Sequence, residues 1–264
     1  MRRIVALAVV ATVLTGCGHS RSSSSESTAS GTTTATAPST VVTTAATTTT
    51  ATPSGATVRV YFLRDGKVAP VARDVPGPQV ATLALNQLAA GPTASETGLT
   101  NQVKGGVLLK KISGGTATVD LVAHLSHAAL AQVVYTLTQF PTVQRVVPLR
   151  SIGETAPWTR ATFEDVTPSI LVESPLPGAH VTSPLRVRGT ANTFEATFLL
   201  DIRNESNRSL SRETVTATSG SGTRGTFDTT ISFSATGPVT LVAYEASAEN
   251  GRPIHVVRIP LDAG

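Results

Sequence analysis

The residue with the most distinctive chemistry in this sequence is its only cysteine, Cys17. A single cysteine cannot form a disulfide within one chain, and a thiol nucleophile needs a base held beside it in a folded pocket. The residues before Cys17 instead predict a processing signal. They comprise arginines at positions 2 and 3, an apolar segment over residues 4–14, and Leu14-Thr15-Gly16 directly before the cysteine.

This arrangement resembles the signal of a bacterial lipoprotein. The apolar segment is shorter than the roughly 20 residues needed to cross a bilayer, and its basic start and small residues before the cut are typical of a secretory signal. We therefore expect residues 1–16 to be a signal peptide, cleaved between Gly16 and Cys17, and Cys17 to be acylated with palmitate or a related chain. The mature protein would be extracytoplasmic and anchored to the bacterial cell membrane by its N-terminal lipid. An ordinary cleaved signal with an incidental cysteine is the alternative.

Residues 17–56, which start at the predicted lipidated cysteine, are expected to form a disordered tether. Of residues 20–56, 22 are Ser or Thr, and none is aromatic. Such a segment cannot bury enough apolar surface to offset the entropy of ordering. The tract is either O-glycosylated or a bare linker.

Two histidines, His124 and His127, are three residues apart, a spacing that allows two zinc ligands on one helical face. Ser126 is a predicted helix N-cap, however, so that His124 precedes the helix, and no third ligand is evident. Surface or capping histidines are the preferred interpretation, and no metal site is predicted.

Adjacent carboxylates at Glu164 and Asp165 raise the possibility of glycoside hydrolysis. That reaction requires two carboxylates about 5–9.5 Å apart across a cleft, whereas neighbours in a linker usually point apart into solvent. Glu195 is expected to be structural, accepting hydrogen bonds from nearby loop backbone. Trp158 is expected to pack between two domains, with an exposed glycan or protein contact as the alternative.

The sequence contains no nucleophile elbow, zinc-protease helix or phosphate-binding loop. We therefore predict no catalytic residue, no cofactor and no enzymatic activity. Lys and Arg number ten against seven Asp and Glu in residues 57–165, and eight against nine in residues 166–264. This balance argues against a nucleic-acid partner.

Residues 57–155 are predicted to fold as a two-layer α+β sandwich with the order ββαββαβ. A hairpin turns at Asp65-Gly66, a helix ends at Gly91-Pro92, and Ser126 begins a second helix. The apolar face of that helix is predicted to consist of Leu130, Val133, Val134, Leu137 and Phe140. The strands are predicted at residues 58–63, 67–75, 106–112, 116–122 and 145–150.

Residues 156–167 are predicted to be a linker, and residues 168–264 an all-β immunoglobulin-like sandwich. Seven short stretches with strand character follow one another there, separated by turn signals such as Gly237-Pro238 and Asn250-Gly251, and no helix is convincing.

The first predicted domain resembles GerMN, a domain of sporulation and spore germination. The resemblance rests on three short runs and one longer, more specific one. These are Val58-Arg59-Val60-Tyr61-Phe62-Leu63, Leu88-Ala89-Ala90-Gly91-Pro92, Ala117-Thr118-Val119-Asp120-Leu121 and the run over residues 134–143.

The second predicted domain resembles Gmad2, the immunoglobulin-like domain associated with bacterial spore germination. The residues that carry this resemblance are Ser174-Pro175-Leu176-Pro177-Gly178-Ala179, residues 183–191 and Phe194-Glu195-Ala196.

Together these resemblances imply a non-catalytic binding or scaffolding lipoprotein of the cell envelope. Envelope proteins or peptidoglycan are the expected partners, and GerMN-type domains imply self-association. A peptidoglycan-acting enzyme and a carrier or sensor of a small envelope glycan or lipid are the alternatives.

Overall fold

A computed structural model describes residues 55–150 and 156–264. The predicted signal peptide, Gly16, Cys17 and nearly all of the predicted tether therefore lie outside the described residues. The elements of the first domain follow the predicted order, with one short additional strand, β3. They are β1 (Ala56–Arg64), β2 (Lys67–Val75), α1 (Val80–Ala90), β3 (Leu99–Thr100), β4 (Val107–Ser113), β5 (Thr116–Leu121), α2 (His127–Leu137) and β6 (Arg145–Pro148).

Local residue chemistry explains where these elements turn and end. Asp65 and Gly66 both have positive φ angles, 51° and 75°, and form the two-residue turn between paired Arg64 and Lys67. Two-residue hairpin turns of this kind match the twist of their strands. Gly91, with φ of 87°, follows the last residue of α1, as predicted. The Ser126 side chain accepts a hydrogen bond from Ala129 N at 3.2 Å, which confirms the predicted cap of α2.

Within the described part of the first domain, the strands form two three-stranded sheets. One sheet has the order β2-β1-β3 and the other β4-β5-β6, in which β5 and β6 run parallel. Both α1 and α2 pack against β1, and α1 also contacts β4, so that one apolar core serves both sheets. The architecture is the predicted two-layer α+β sandwich, with its strands divided between two sheets.

Helix α2 is buried over more of its surface than the predicted single apolar face. Gln132 and Thr136 are completely buried, whereas Leu130 is only partly so. Phe140, predicted on the same face, lies beyond the end of the helix and is partly buried. The polar positions are buried because α2 lies along an open edge of β1 and supplies hydrogen bonds to it.

The edge of β1 is completed by side chains of α2 and of the residues that follow it. Tyr61 N donates to Thr136 Oγ1 at 3.2 Å, and Gln132 Nε2 donates to Tyr61 O at 3.1 Å. Arg59 N donates to Gln139 Oε1 at 2.7 Å, and Gln139 Nε2 donates back to Arg59 O. Pro70 of β2 lies opposite Tyr61. The backbone N–H and C=O of Tyr61 point away from β2 at this pair, so that the missing N–H of Pro70 costs no hydrogen bond between the strands.

The second domain is the predicted immunoglobulin-like sandwich. Each of the seven predicted strands forms, and a two-residue strand, β8, adds to them. The strands are β7 (Ile170–Ser174), β8 (His180–Val181), β9 (Leu185–Ala191), β10 (Thr197–Asn204), β11 (Ser209–Thr216), β12 (Gly225–Ile231), β13 (Gly237–Ala246) and β14 (Pro253–Ala263). They form a five-stranded sheet, β11-β10-β13-β14-β8, and a three-stranded sheet, β12-β9-β7. Phe198 and Phe227, one from each sheet, pack edge to face with centroids 4.9 Å apart.

Between the domains, the structure describes the chain from residue 156 onward. Trp158 pairs with Val146 of β6 through an isolated bridge and packs against the core of the first domain. A 3₁₀ segment, Arg160–Val166, follows and buries the ring of Phe163. We refer to residues 156–167 as the connector.

Candidate functional site

His127, the first residue of α2, contacts the connector. Its Nε2 atom lies 2.9 Å from Asp165 Oδ1, and its ring packs on Phe163 with centroids 4.8 Å apart. The described ranges contain no group of three or more His, Cys, Asp or Glu side chains that could hold a metal ion.

Glu164 and Asp165 point in opposite directions, towards different domains. The Glu164 carboxylate accepts two hydrogen bonds from Arg224, each 2.9 Å, and one from Asn192 at 2.9 Å. Burial by itself would raise the pKa of Glu164, but the hydrogen bonds from Arg224 and Asn192 outweigh it and lower that pKa. Asp165 instead bonds His127 of the first domain. The two carboxylates therefore join the connector to both domains and do not face each other across a cleft.

The predicted structural role of the Glu195 carboxylate is wrong. Glu195 has a positive φ of 53°, and its side chain points into solvent. Glu245 of β13 supplies the carboxylate that accepts a hydrogen bond from this loop. Phe194 N donates to its Oε1 atom at 3.1 Å. The other oxygen of Glu245 lies 3.0 Å from His255 Nδ1.

A largely buried charged cluster joins the two domains and the connector. Tyr61 of β1, completely buried, donates from its hydroxyl to Glu173 Oε1 of β7. Arg160 of the connector donates from NH1 to the same oxygen at 2.8 Å. The Glu173 and Arg160 side chains are only 16% and 25% exposed. The Glu173 carboxylate thus binds one residue of the first domain and one residue of the connector.

Arg160 is fixed by its other contacts. Its guanidinium carbon lies 4.7 Å from the ring centroid of Tyr135 and 5.7 Å from that of Tyr61, a cation–π arrangement. Its Nε donates to Thr138 Oγ1 at 2.8 Å. The hydroxyls of Tyr135 and Thr167 lie 2.6 Å apart. Tyr135 lies in α2 and Thr138 is the residue that caps its C-terminal end, so that this helix and its cap support both β1 and the interdomain cluster.

The charges of this cluster are held in fixed states. Burial, followed by the charge of Glu173, raises the pKa of Tyr61 far above its ordinary value. Burial alone would raise the pKa of Glu173, but the charge of Arg160 and the hydrogen bond from Tyr61 outweigh it and lower that pKa. At neutral pH, Tyr61 is therefore neutral while Glu173 and Arg160 are charged. Such an arrangement suits structural coupling better than proton transfer, which needs a pKa near the working pH.

Two adjoining grooves among the described residues lie between the domains, beside this cluster. Their volumes are about 850 and 660 Å³. Arg59 of β1 and Arg188 of β9 line both grooves, as do Glu173 and Ser174. The larger groove therefore has walls from both domains, whereas the smaller groove is lined by residues of the sandwich together with Arg59 of the first domain. We call the pair of grooves the interdomain groove.

Sequence reasoning missed Tyr61, Arg160 and Glu173. One signal was present, because Val60-Tyr61-Phe62-Leu63 is a continuous apolar run, which is typical of a strand buried on both faces. Within residues 55–150 and 156–264, no helix combines the length and apolar character needed to cross a lipid bilayer.

These observations define a two-domain protein in which an α+β sandwich is joined through a buried charged cluster to an immunoglobulin-like sandwich. Residues 59–147 match the Germane family, described as sporulation and spore germination. Residues 169–252 match Gmad2, described as the immunoglobulin-like domain of bacterial spore germination. No curated protein matches the chain significantly. The chain therefore carries a Germane domain, the GerMN-type domain of the sequence analysis, followed by a Gmad2 domain.

Proposed function

We propose that this protein is a membrane-anchored lipoprotein of the bacterial cell envelope that acts as a non-catalytic binding or scaffolding module. Support for the location comes from the sequence before residue 57. A lipid on Cys17 would hold the chain at the outer face of the membrane, and residues 17–56 would set how far the two domains reach. The Germane and Gmad2 domains are of the spore-germination type, but the proposal requires no germination role in the host.

The observation that carries the proposed binding role is the cluster of Tyr61, Arg160 and Glu173. It couples the Germane domain, the connector and the Gmad2 domain, and it leaves the interdomain groove between them. Two domains held in this way can present one composite surface to an envelope protein or to peptidoglycan. Tyr61 and Arg160 already donate hydrogen bonds to the Glu173 carboxylate. This carboxylate is therefore better suited to a structural role beside a binding surface than to acid–base catalysis in a hydrolytic site.

Metabolic labelling with a clickable palmitate analogue tests the anchoring. The wild-type chain, expressed in a bacterium with lipoprotein-processing enzymes, should incorporate the label and sediment with membranes. Cys17→Ser should lose the label, while Ser20→Ala is a control that should keep it. Equal labelling of wild type and Cys17→Ser would contradict the proposed lipidation.

Crosslinking and pull-down of the lipidated protein from its own host test the binding role. Reproducible recovery of an envelope protein or of wall material is expected. Recovery of neither would refute the role. Incubation of the pure protein with cell wall separates the binding role from the enzymatic alternative, because release of muropeptides by the pure protein would identify a hydrolase.

A further inference from the structure

Two arginines that line the interdomain groove, Arg59 and Arg188, make no side-chain hydrogen bond or ion pair within residues 55–150 and 156–264. Arg59 Nε is buried and has no hydrogen-bond partner among the described residues. A buried N–H without a partner is costly, and each such group in a folded protein calls for an explanation. A ligand oxygen in the groove would provide the missing acceptor.

The Glu173 carboxylate, which lines the same groove as this arginine, is already occupied. Glu173 Oε1 accepts from both Tyr61 and Arg160, and Tyr61 is neutral. The Glu173 carboxylate therefore lies near two guanidinium groups, those of Arg160 and Arg59, and forms its ion pair with Arg160. Asp74 also lines this side of the groove, and Arg59 makes no ion pair with either carboxylate.

The opposite wall contributes a second cation. Arg188 is exposed in the middle of β9, and within the part of the chain that the structure describes its side chain makes no hydrogen bond or ion pair. Its neighbour Arg186 is instead bound by both oxygens of Asp228, at 2.7 and 2.6 Å. Asp228 lines the same groove, but its charge is matched by Arg186.

Hydroxyl groups line the groove between these cations. They belong to Ser174, Thr190, Thr216, Thr218 and Thr226. Hydroxyls both donate and accept hydrogen bonds, as sugar hydroxyls do, whereas the arginine guanidinium is the side chain best suited to planar oxyanions. The volumes of the two grooves fall within the range of about 300–1,000 Å³ that is typical of small-ligand sites.

We propose that the interdomain groove binds a polysaccharide that bears carboxylate or phosphate groups. Arg59 and Arg188 contact the oxyanions from opposite walls, and the threonine hydroxyls contact the sugars. The inference deepens the proposed function, on which it rests, by naming the class of envelope ligand.

Titration of the purified full-length chain with soluble polymers tests this assignment. Polygalacturonate supplies carboxylates, poly(glycerol phosphate) supplies phosphates, and dextran is the neutral control. At least one anionic polymer should bind, and dextran should not. The polymer that binds more tightly identifies the preferred oxyanion. Raising the salt concentration should weaken the binding, because the contacts are ionic.

Arg59→Gln and Arg188→Gln should each weaken binding about tenfold or more, as expected for a lost charged hydrogen bond. Arg258→Gln, which removes an exposed arginine from β14 of the same domain, should leave affinity unchanged. Arg188 is exposed, so that its variant should fold normally, and thermal unfolding will verify this for all three.

Several results would overturn the proposal: no binding of either anionic polymer, equal binding of dextran, or equal loss in Arg188→Gln and Arg258→Gln. Capture of a protein partner without any polymer binding would do so too. Palmitate labelling and membrane retention, measured on the same variants, separate a failed groove assignment from a failed lipoprotein role. A wild-type protein that is lipidated and retained at the membrane but binds neither anionic polymer would refute only the groove assignment.

Discussion

The hydroxyl of Tyr61 and the carboxylate of Glu173, 112 residues apart in sequence, are hydrogen-bonded across the domain boundary. Tyr61 belongs to β1, in the part of the strand that pairs with β2 but not with the two-residue β3, and Glu173 belongs to β7 of the Gmad2 domain. Arg160 of the connector shares the same carboxylate oxygen. Neither domain can satisfy its own members of this cluster, so that the folding of the two domains should be thermodynamically coupled.

Glu173→Gln should destabilise the protein because it leaves the Arg160 charge without its counterion. Removing one partner of a buried ion pair costs about 3–5 kcal/mol, and partial exposure of this pair places the expected loss at the lower end. Denaturant unfolding measures the change. Glu213→Gln, at an exposed position of β11, is the matched control and should be nearly neutral. Equal effects of the two substitutions would contradict the coupling.

The stability of the wild type should fall as the pH drops below the ordinary glutamate pKa of 4.5. The folded state lowers the pKa of Glu173, so that its contribution is full above 4.5 and is lost as the pH falls through the lower folded-state value. Glu96 and Glu164 shift in the same direction. Melting temperatures between pH 7 and pH 3 measure this effect. Glu173→Gln should show a shallower decline, and identical pH profiles would exclude Glu173 as a contributor.

Thr136→Val should be destabilising although the two side chains have nearly the same shape. The substitution removes the acceptor for Tyr61 N, and an unpaired buried N–H costs about 1–3 kcal/mol. Thr214→Val, at an exposed site in β11, is the control. Comparable unfolding midpoints for both valine variants would show that α2 does not complete the edge of β1.

Gly189→Ala should destabilise the Gmad2 domain. An added Cβ would lie 2.0 Å from Leu171 O and 2.8 Å from the ring of Phe227, so that backbone of β7 would have to move. Overpacking of this kind costs about 1–3 kcal/mol. Gly106→Ala provides a comparison, because its new methyl would meet only a methyl of exposed Val122, at 3.3 Å. If Gly189→Ala unfolded at the same denaturant concentration as Gly106→Ala, the close approach would be refuted.

Features determined by neighbouring residues could be predicted from the sequence. The turn at Asp65-Gly66, the cap at Ser126 and the helix end before Gly91 each depend on residues within one turn, and each was predicted correctly. Turn signals between short stretches of strand character likewise indicated the strands of the Gmad2 domain. The two families could be identified because their motifs are themselves short runs.

Features that depend on distant contacts could not be predicted in this way. Gln132 and Thr136 interrupt the apolar pattern of α2, and only the open edge of β1 explains their burial. Glu195 was assigned a role that Glu245 fills, because a positive φ turns the Glu195 side chain outward and a different strand supplies the carboxylate. Arg160 lay in a predicted linker, where no periodic pattern reveals a buried charge.

The interdomain groove has a mechanical consequence because the first residues of β1, from Ala56 to Arg59, form part of its wall. A ligand held there would sit beside the point where the folded part of the chain joins the residues before it. Tension between a membrane anchor and the Arg59 contact would pass through only a few residues of β1. Tension on the Arg188 contact would have to cross the domain boundary, so that the cluster of Tyr61, Arg160 and Glu173 would bear that part of the load.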